Sequence, residues 1–281
     1  MLGLGMGAGL YDAAFSTLGR IFGASARRAI TNLTLFGGFA STICWPLSAL
    51  AVEHVGWRGA CFAYAAVQVL VMAPALFLLL PREARKAPRA PERADAGAKT
   101  CRERGTFWLL AVILMANGAV QTTVSVHLLT ILQAQGIALA AAVAIGALIG
   151  PSQVGARLVE MLVGDRLHPT ATLACAGALV AVGVVLLAFG AGPAAVAVVL
   201  YAAGNGVWSI ARGTVPLALF GAERYAVVMG RLAAPNLVVQ AAAPFAAGFV
   251  FSAAGTDTTL GVLAMLAVTN LLATVALARS R

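Results

Sequence analysis

Ionisable side chains are few inside the long apolar runs of this sequence, and each one there demands a reason. Asp12 falls near the middle of the first run, and Arg157 and Glu160 stand three apart in another. If those runs lie in lipid, a charge near the bilayer centre costs roughly 2.5–3.5 kcal/mol on insertion scales, so each residue is a candidate for function. Asp12 has no partner in its own run, which suits a site for a proton or a substrate cation. Arg157 and Glu160 share one helix face, with Gln153 one turn before Arg157. Two readings of the pair stay open. Arg157 binds a substrate anion or locks a gate with Glu160, or the two neutralise each other and anchor the helix beside Asp165 and Arg166.

Uncharged polar residues break the Ala/Val/Leu-rich runs at Tyr11, Asn117, Gln121, Asn205, Trp208, Asn236 and Gln240. Asn117 and Gln121 are four apart, as are Asn236 and Gln240, so each pair shares a helix face. Such residues line a polar path or hydrogen-bond between helices, a contribution averaging about 0.6 kcal/mol in membranes. Other chemistries find little support. His54, His127 and His168 occur singly, and no nucleophile stands beside a base. The cysteines Cys44, Cys61, Cys101 and Cys175 are scattered without metal or disulfide spacing, so no metal site and no cofactor is expected. GLGMGAG (Gly3–Gly9) lacks the preceding strand that a phosphate-cradling loop requires, and reads as small-residue spacing for helix contact.

The elements that would carry these residues are apolar runs at roughly 1–22, 30–52, 59–80, 106–130, 138–163, 170–190, 193–213, 226–252 and 258–278. Each meets the about 17–25 residues that a spanning helix needs. A chain that is 61% hydrophobic and 10% charged, with mean hydropathy +0.92, lies outside the soluble range of about 25% charged. Its net charge of +9 suggests nucleic acid at first sight. The basic residues are instead distributed at the run boundaries, which points to a lipid bilayer as partner and against nucleic acid. Alternate gaps hold Arg20, Arg27 and Arg28, then the eight Lys/Arg from Arg82 to Arg104, then Arg166, Arg224, Arg279 and Arg281. The intervening gaps hold only Arg58. Lys/Arg excess marks the cytoplasmic side. The expectation is a multi-pass protein of the cell membrane, a bacterial inner membrane, with Met1 outside and the C-terminus in the cytoplasm.

The stretch PREARKAPRAPERADAGAKTCRERG (Pro81–Gly105) reads as a solvated linker. It divides three runs (1–80) from six (106–281). Within them stand GGFASTICWP (Gly37–Pro46), the turn EHVGWRGACF with Gly56, Trp57 and Arg58, and the loop VGDRLHP (Val163–Pro169).

These features resemble the major facilitator superfamily: two six-helix halves joined by a long cytoplasmic loop. The Gly/Pro-rich stretch sits where that family bends its fifth helix, and Asp165 and Arg166 match its GxxxDRxGRR loop motif. His168 and Pro169 depart from that motif. The run IGPSQVGARLVEML (Ile149–Leu162) is similar to a subgroup of bacterial facilitators. The resemblance implies an all-α membrane fold of about nine spans, three plus six, with residues 1–80 matching the family's fourth to sixth helices. Its first three helices have no counterpart, as though a longer protein had been entered late.

The resemblance further implies a secondary transporter of a small organic solute, working by alternating access, driven by protons and with export as the favoured direction. In it the family's path-lining helices would carry Tyr11 and Asp12, Asn117 and Gln121, and Asn205 and Trp208. Gln153 joins that set, and Arg157, Glu160, Asp165 and Arg166 form the gating or structural charges. The rival readings are a membrane-embedded enzyme and a non-transporting relic. Substrate and oligomeric state stay open.

Overall fold

The computed structural model describes residues 11–79, 101–190 and 192–279, and at Asp12 and Asp165 it describes the backbone alone. The glycines Gly3–Gly9 and most of the Pro81–Gly105 stretch lie outside the described residues. The elements are α1 (Tyr11–Phe22), α2 (Ala26–Val67), α3 (Ala73–Leu79), α4 (Cys101–Ala134), α5 (Leu139–Ala147), α6 (Ile149–Val163), α7 (Pro169–Phe189) and α8 (Ala194–Arg279). No strand occurs among the described residues.

Helix α8 has 86 residues. A straight rod of that length would span about 130 Å, several times the about 30 Å hydrocarbon core. It folds back twice instead, at Gly221 (φ 73°, ψ 165°) and Gly255 (φ 82°, ψ 179°). Its arms are α8a (194–220), α8b (222–254) and α8c (256–279). Four residues beyond Gly221, the Tyr225 hydroxyl donates to the carbonyl of Gly213, twelve residues back, at 2.9 Å. Helix α2 reverses in the same way at Gly56 (φ 70°, ψ 169°), into α2a (26–55) and α2b (57–67). Across that turn Ser48 Oγ and Tyr64 Oη lie 2.6 Å apart. Only glycine adopts this conformation without a cost of order 1–3 kcal/mol, so a single residue turns the chain.

Helix therefore persists through places that hydropathy marks as gaps. Five helices are long and apolar enough to cross a membrane among the described residues. They are fewer and longer than separate runs suggest, because α8 carries three arms. The 138–163 run is in turn interrupted at Leu148, between α5 and α6. Cys101–Gly105, expected in the linker, begins α4.

The reversals alternate between two ends of the bundle. One end holds the turns at Phe22–Ser25, Gly164–His168 and Gly221, together with Arg20, Arg27, Arg28, Arg166, Arg224 and Arg279. We call it the basic end. The other holds Gly56, the 135–138 turn, Gly190–Pro193 and Gly255. At the basic end His168 caps α7: its Nδ1 accepts from the Thr170 N–H at 3.3 Å, and Pro169 opens the helix.

The core of α4–α8 splits along the helix axes. Toward the basic end, Leu110, Leu114, Leu173, Val215 and Leu232 pack together. Toward the opposite end the cluster is Val124, Ile131, Val184, Tyr201 and Leu263. A third cluster joins α1 and α2a to α8: Phe15, Ala26 and Ile30 against Leu217, Tyr225 and Met229. Large apolar side chains such as Leu78 and Phe245, each more than four-fifths exposed, face outward as lipid-facing residues do.

Candidate functional site

Between the two apolar clusters of α4–α8 lies a layer of buried amides. Asn117, Asn205, Asn236 and Asn270 are each at most 5% exposed and stand near the middle of their helical arms. Each leaves its Oδ1 without a partner, and Asn117 leaves its Nδ2 unpartnered too. Buried polar atoms are ordinarily satisfied, and an unsatisfied one costs about 1–3 kcal/mol. Four at one depth mark a polar plane in an otherwise apolar bundle. Asn236 sits against Gly118, where an added Cβ would fall 2.5 Å from its Oδ1. Asn117→Leu removes two orphaned atoms at little change in volume. It is expected to raise the melting temperature measured by scanning fluorimetry, by about 1 kcal/mol of stability or more.

Gln121 lies on α4 with Asn117 but is exposed. Its backbone carbonyl accepts from the Tyr201 hydroxyl at 3.4 Å. Asn205 Nδ2 donates to the Tyr201 carbonyl at 3.3 Å. Trp208 is buried in the cluster with Leu110, Leu173 and Val215.

Helix α6 packs against α2a and α8a. Arg157, 5% exposed, donates from Nε to the Gly206 carbonyl (3.3 Å) and Ser209 Oγ (3.1 Å) of α8a. Its Nη1 donates to the Thr34 carbonyl of α2a at 3.1 Å, and its Nη2 to Gln153 Oε1 at 3.3 Å. Absent side chains permit this closeness. A Cβ at Gly38 would lie 2.2 Å from Arg157 Nη1, and one at Gly206 would lie 2.5 Å from the Gln153 carbonyl. Beside Gly38, a Cβ at Gly37 would lie 2.2 Å from the Tyr11 hydroxyl. Tyr11 itself stacks on Phe15, with ring centroids 5.4 Å apart.

Glu160, one turn toward the basic end, does not neutralise Arg157. Its Oε1 is 3.6 Å from Arg27 Nη2 of α2a. Arg27 also donates to the carbonyls of Leu167 (3.1 Å) and Gly164 (2.5 Å), which end α6 and form the turn beyond it. The last carbonyls of a helix lack intrahelical donors and carry its negative pole, so a cation is favoured there. Asp165 and Arg166 lie in that turn, with Arg166 exposed. The reading in which Arg157 and Glu160 neutralise each other gives way to two separate arginine contacts between α2a and α6. The reason is that Arg27, more than 130 residues away in sequence, reaches the carboxylate. Beside it opens a cavity of about 130 Å³ between Arg28, Thr31 and Asn32 on α2a and Met161 on α6. Spacing within α6 shows that Arg157 and Glu160 share a face, but gives no sign of Arg27, Thr34 or Ser209. The glycine pair Gly37–Gly38 was the one visible signal on α2a.

Among the described residues no group of three or more His, Cys, Asp or Glu is placed to hold a metal.

The profile of the Major Facilitator Superfamily matches residues 1–230. Two similar solved structures are transporters. The human organic anion transporter MFSD10 (TETRAN) gives a TM-score of 0.72 at 16% identity, over 96% of this chain and 68% of that one. A variant of the E. coli fucose:proton symporter FucP gives 0.67 at 15% identity, over 94% of this chain and 72% of that one. No curated protein sequence matches.

Proposed function

This chain belongs to the Major Facilitator Superfamily, a family of membrane transporters, and we propose that it is a secondary transporter moving a small organic solute by alternating access. The two bundles are residues 1–80 and 106–281, joined by the linker 81–105, and they rock about the polar plane. The observation that carries this reading is the form of their contact at the basic end. There the described contacts between the halves include the Arg27–Glu160 pair, two arginine-to-carbonyl bonds and one small apolar cluster, with the Arg157–Thr34 bond one turn deeper. Such a junction can part without unpacking either bundle, as a rigid-body transition between two states requires.

The basic end lies in the cytoplasm of a bacterial cell by the positive-inside rule. The structure is then the state closed to the cytoplasm, with the Arg279 end inside. Protons are the coupling ion we assign, with Asp12 in α1 as the group that carries them, and export is the direction the resemblance favours. The test is solute-dependent acidification in proteoliposomes holding the purified chain, read with an internal pH-sensitive dye. Proton movement that follows added solute and collapses with a protonophore supports the reading. Solute movement indifferent to both pH gradient and protonophore would remove proton coupling, and no solute movement at all would remove transport.

A further inference from the structure

Among the described residues, the contacts of Arg157 leave its charge without a carboxylate partner. A guanidinium has five N–H groups and is not deprotonated in proteins. Here Nε serves Gly206 and Ser209, one hydrogen of Nη1 serves Thr34, and one hydrogen of Nη2 serves Gln153. Every acceptor is a neutral oxygen, so among the described residues no carboxylate touches the guanidinium. One hydrogen on each terminal nitrogen is left over. An arginine this buried ordinarily faces a carboxylate, because an ion without counter-charge is costly to bury. The nearest carboxylate on its own helix, Glu160, is taken by Arg27.

The absence of side chains at Gly38 and Gly206 lets α2a close on the guanidinium and α8a on the Gln153 backbone, and the Tyr11 hydroxyl lies beside Gly37 as a further donor. Only the Thr34 carbonyl comes from the other half. When the halves part that bond breaks, and Nη1 and Nη2 together present a fork of the geometry that accepts a carboxylate in two-point fashion. One positive charge with no carboxylate on it among the described residues matches one negative charge on the ligand.

We propose that Arg157 is the recognition group for a singly charged organic anion, a carboxylate that replaces Thr34 on the guanidinium when the halves separate. The inference rests on the transporter reading and names its substrate class. It is tested by binding, so that it can fail separately. The purified full chain is titrated with lactate and with benzoate, with glucose and tetraethylammonium as neutral and cationic controls, and its melting temperature is followed. A ligand that binds the folded state raises that temperature with concentration. At least one carboxylate is expected to stabilise the wild type while both controls do not. Arg157→Gln should abolish the shift. Arg157→Lys keeps the charge but loses the fork, and should weaken binding about tenfold.

Absence of any shift with both carboxylates, or an equal shift in Arg157→Gln, overturns the proposal. If the Gln variant does not fold, the Lys variant decides, and unchanged affinity there overturns it. Uptake of the same probes into proteoliposomes separates the two readings. Arg157-dependent binding without uptake keeps the anion site and removes transport. Uptake of glucose or tetraethylammonium with no carboxylate binding keeps transport and removes the anion site.

Discussion

Gly204→Val and Gly183→Val are each expected to leave almost no monodisperse protein on size-exclusion chromatography. These two glycines face each other's helices where α7 and α8a cross. A Cβ at Gly183 would lie 2.5 Å from the Tyr201 amide nitrogen and 2.7 Å from the Ala197 carbonyl. One at Gly204 would lie 2.7 Å from the Val180 nitrogen and 2.8 Å from the Ala176 carbonyl. All four obstacles are backbone atoms, which cannot rotate away as a side-chain end can. Close approach of small residues is the main way in which helices associate in lipid, where the hydrophobic effect offers no drive. Overpacking of a tight core costs about 1–3 kcal/mol and sometimes more, and a branched side chain against backbone belongs at the upper end. Gly155→Ala and Gly230→Ala, where an added Cβ meets nothing within 4 Å, are the matched controls and should leave the elution profile unchanged. Equal behaviour of all four variants would show that the α7–α8a crossing is not set by these glycines.

Asp12→Asn is expected to reduce solute-driven proton movement at least about tenfold while the solute still exchanges down its own gradient. A carboxylate inside an apolar helix is expensive to insert, and it is retained where it does work. Asparagine matches its shape and polarity but can neither bind nor release a proton near neutral pH. Asp12 follows Tyr11 on α1, the helix whose tyrosine hydroxyl abuts Gly37 beside the Arg157 contact. Unchanged proton flux in Asp12→Asn, read with the same dye, would remove that assignment.

Hydropathy located the apolar arms well, and the reasons it missed their ends are physical. The run that stops near 213 continues as helix to 220, because Arg212 and its neighbours stay helical at a membrane edge where every backbone group still needs a partner. The reversals at Gly56, Gly221 and Gly255 all lie in expected gaps, yet each takes one residue where a loop was expected. Side-chain roles were harder to read. Asn117 and Gln121 share a face by spacing, but four residues overshoot one turn by about 40°. That offset is enough to bury one and expose the other. Arg157 and Glu160 show the sharper limit. Their spacing was legible, whereas the choice of Arg27, Thr34 and Ser209 as partners depends on α2a and α8a packing on either side of α6.

The claim on which the rest depends is that the halves part at the Arg27–Glu160 junction. Spin labels at Asn32 and Met161, which face each other across the small cavity beside it, measure that directly. The labels go into a variant whose four cysteines are replaced, with the distance read by pulsed electron resonance in lipid nanodiscs. Two distances should be populated, with solute or a change of pH moving weight between them. Arg27→Ala should favour the longer distance, by about thirtyfold if the lost contacts amount to about 2 kcal/mol. A single short distance under every condition, in protein that still transports, would contradict the account.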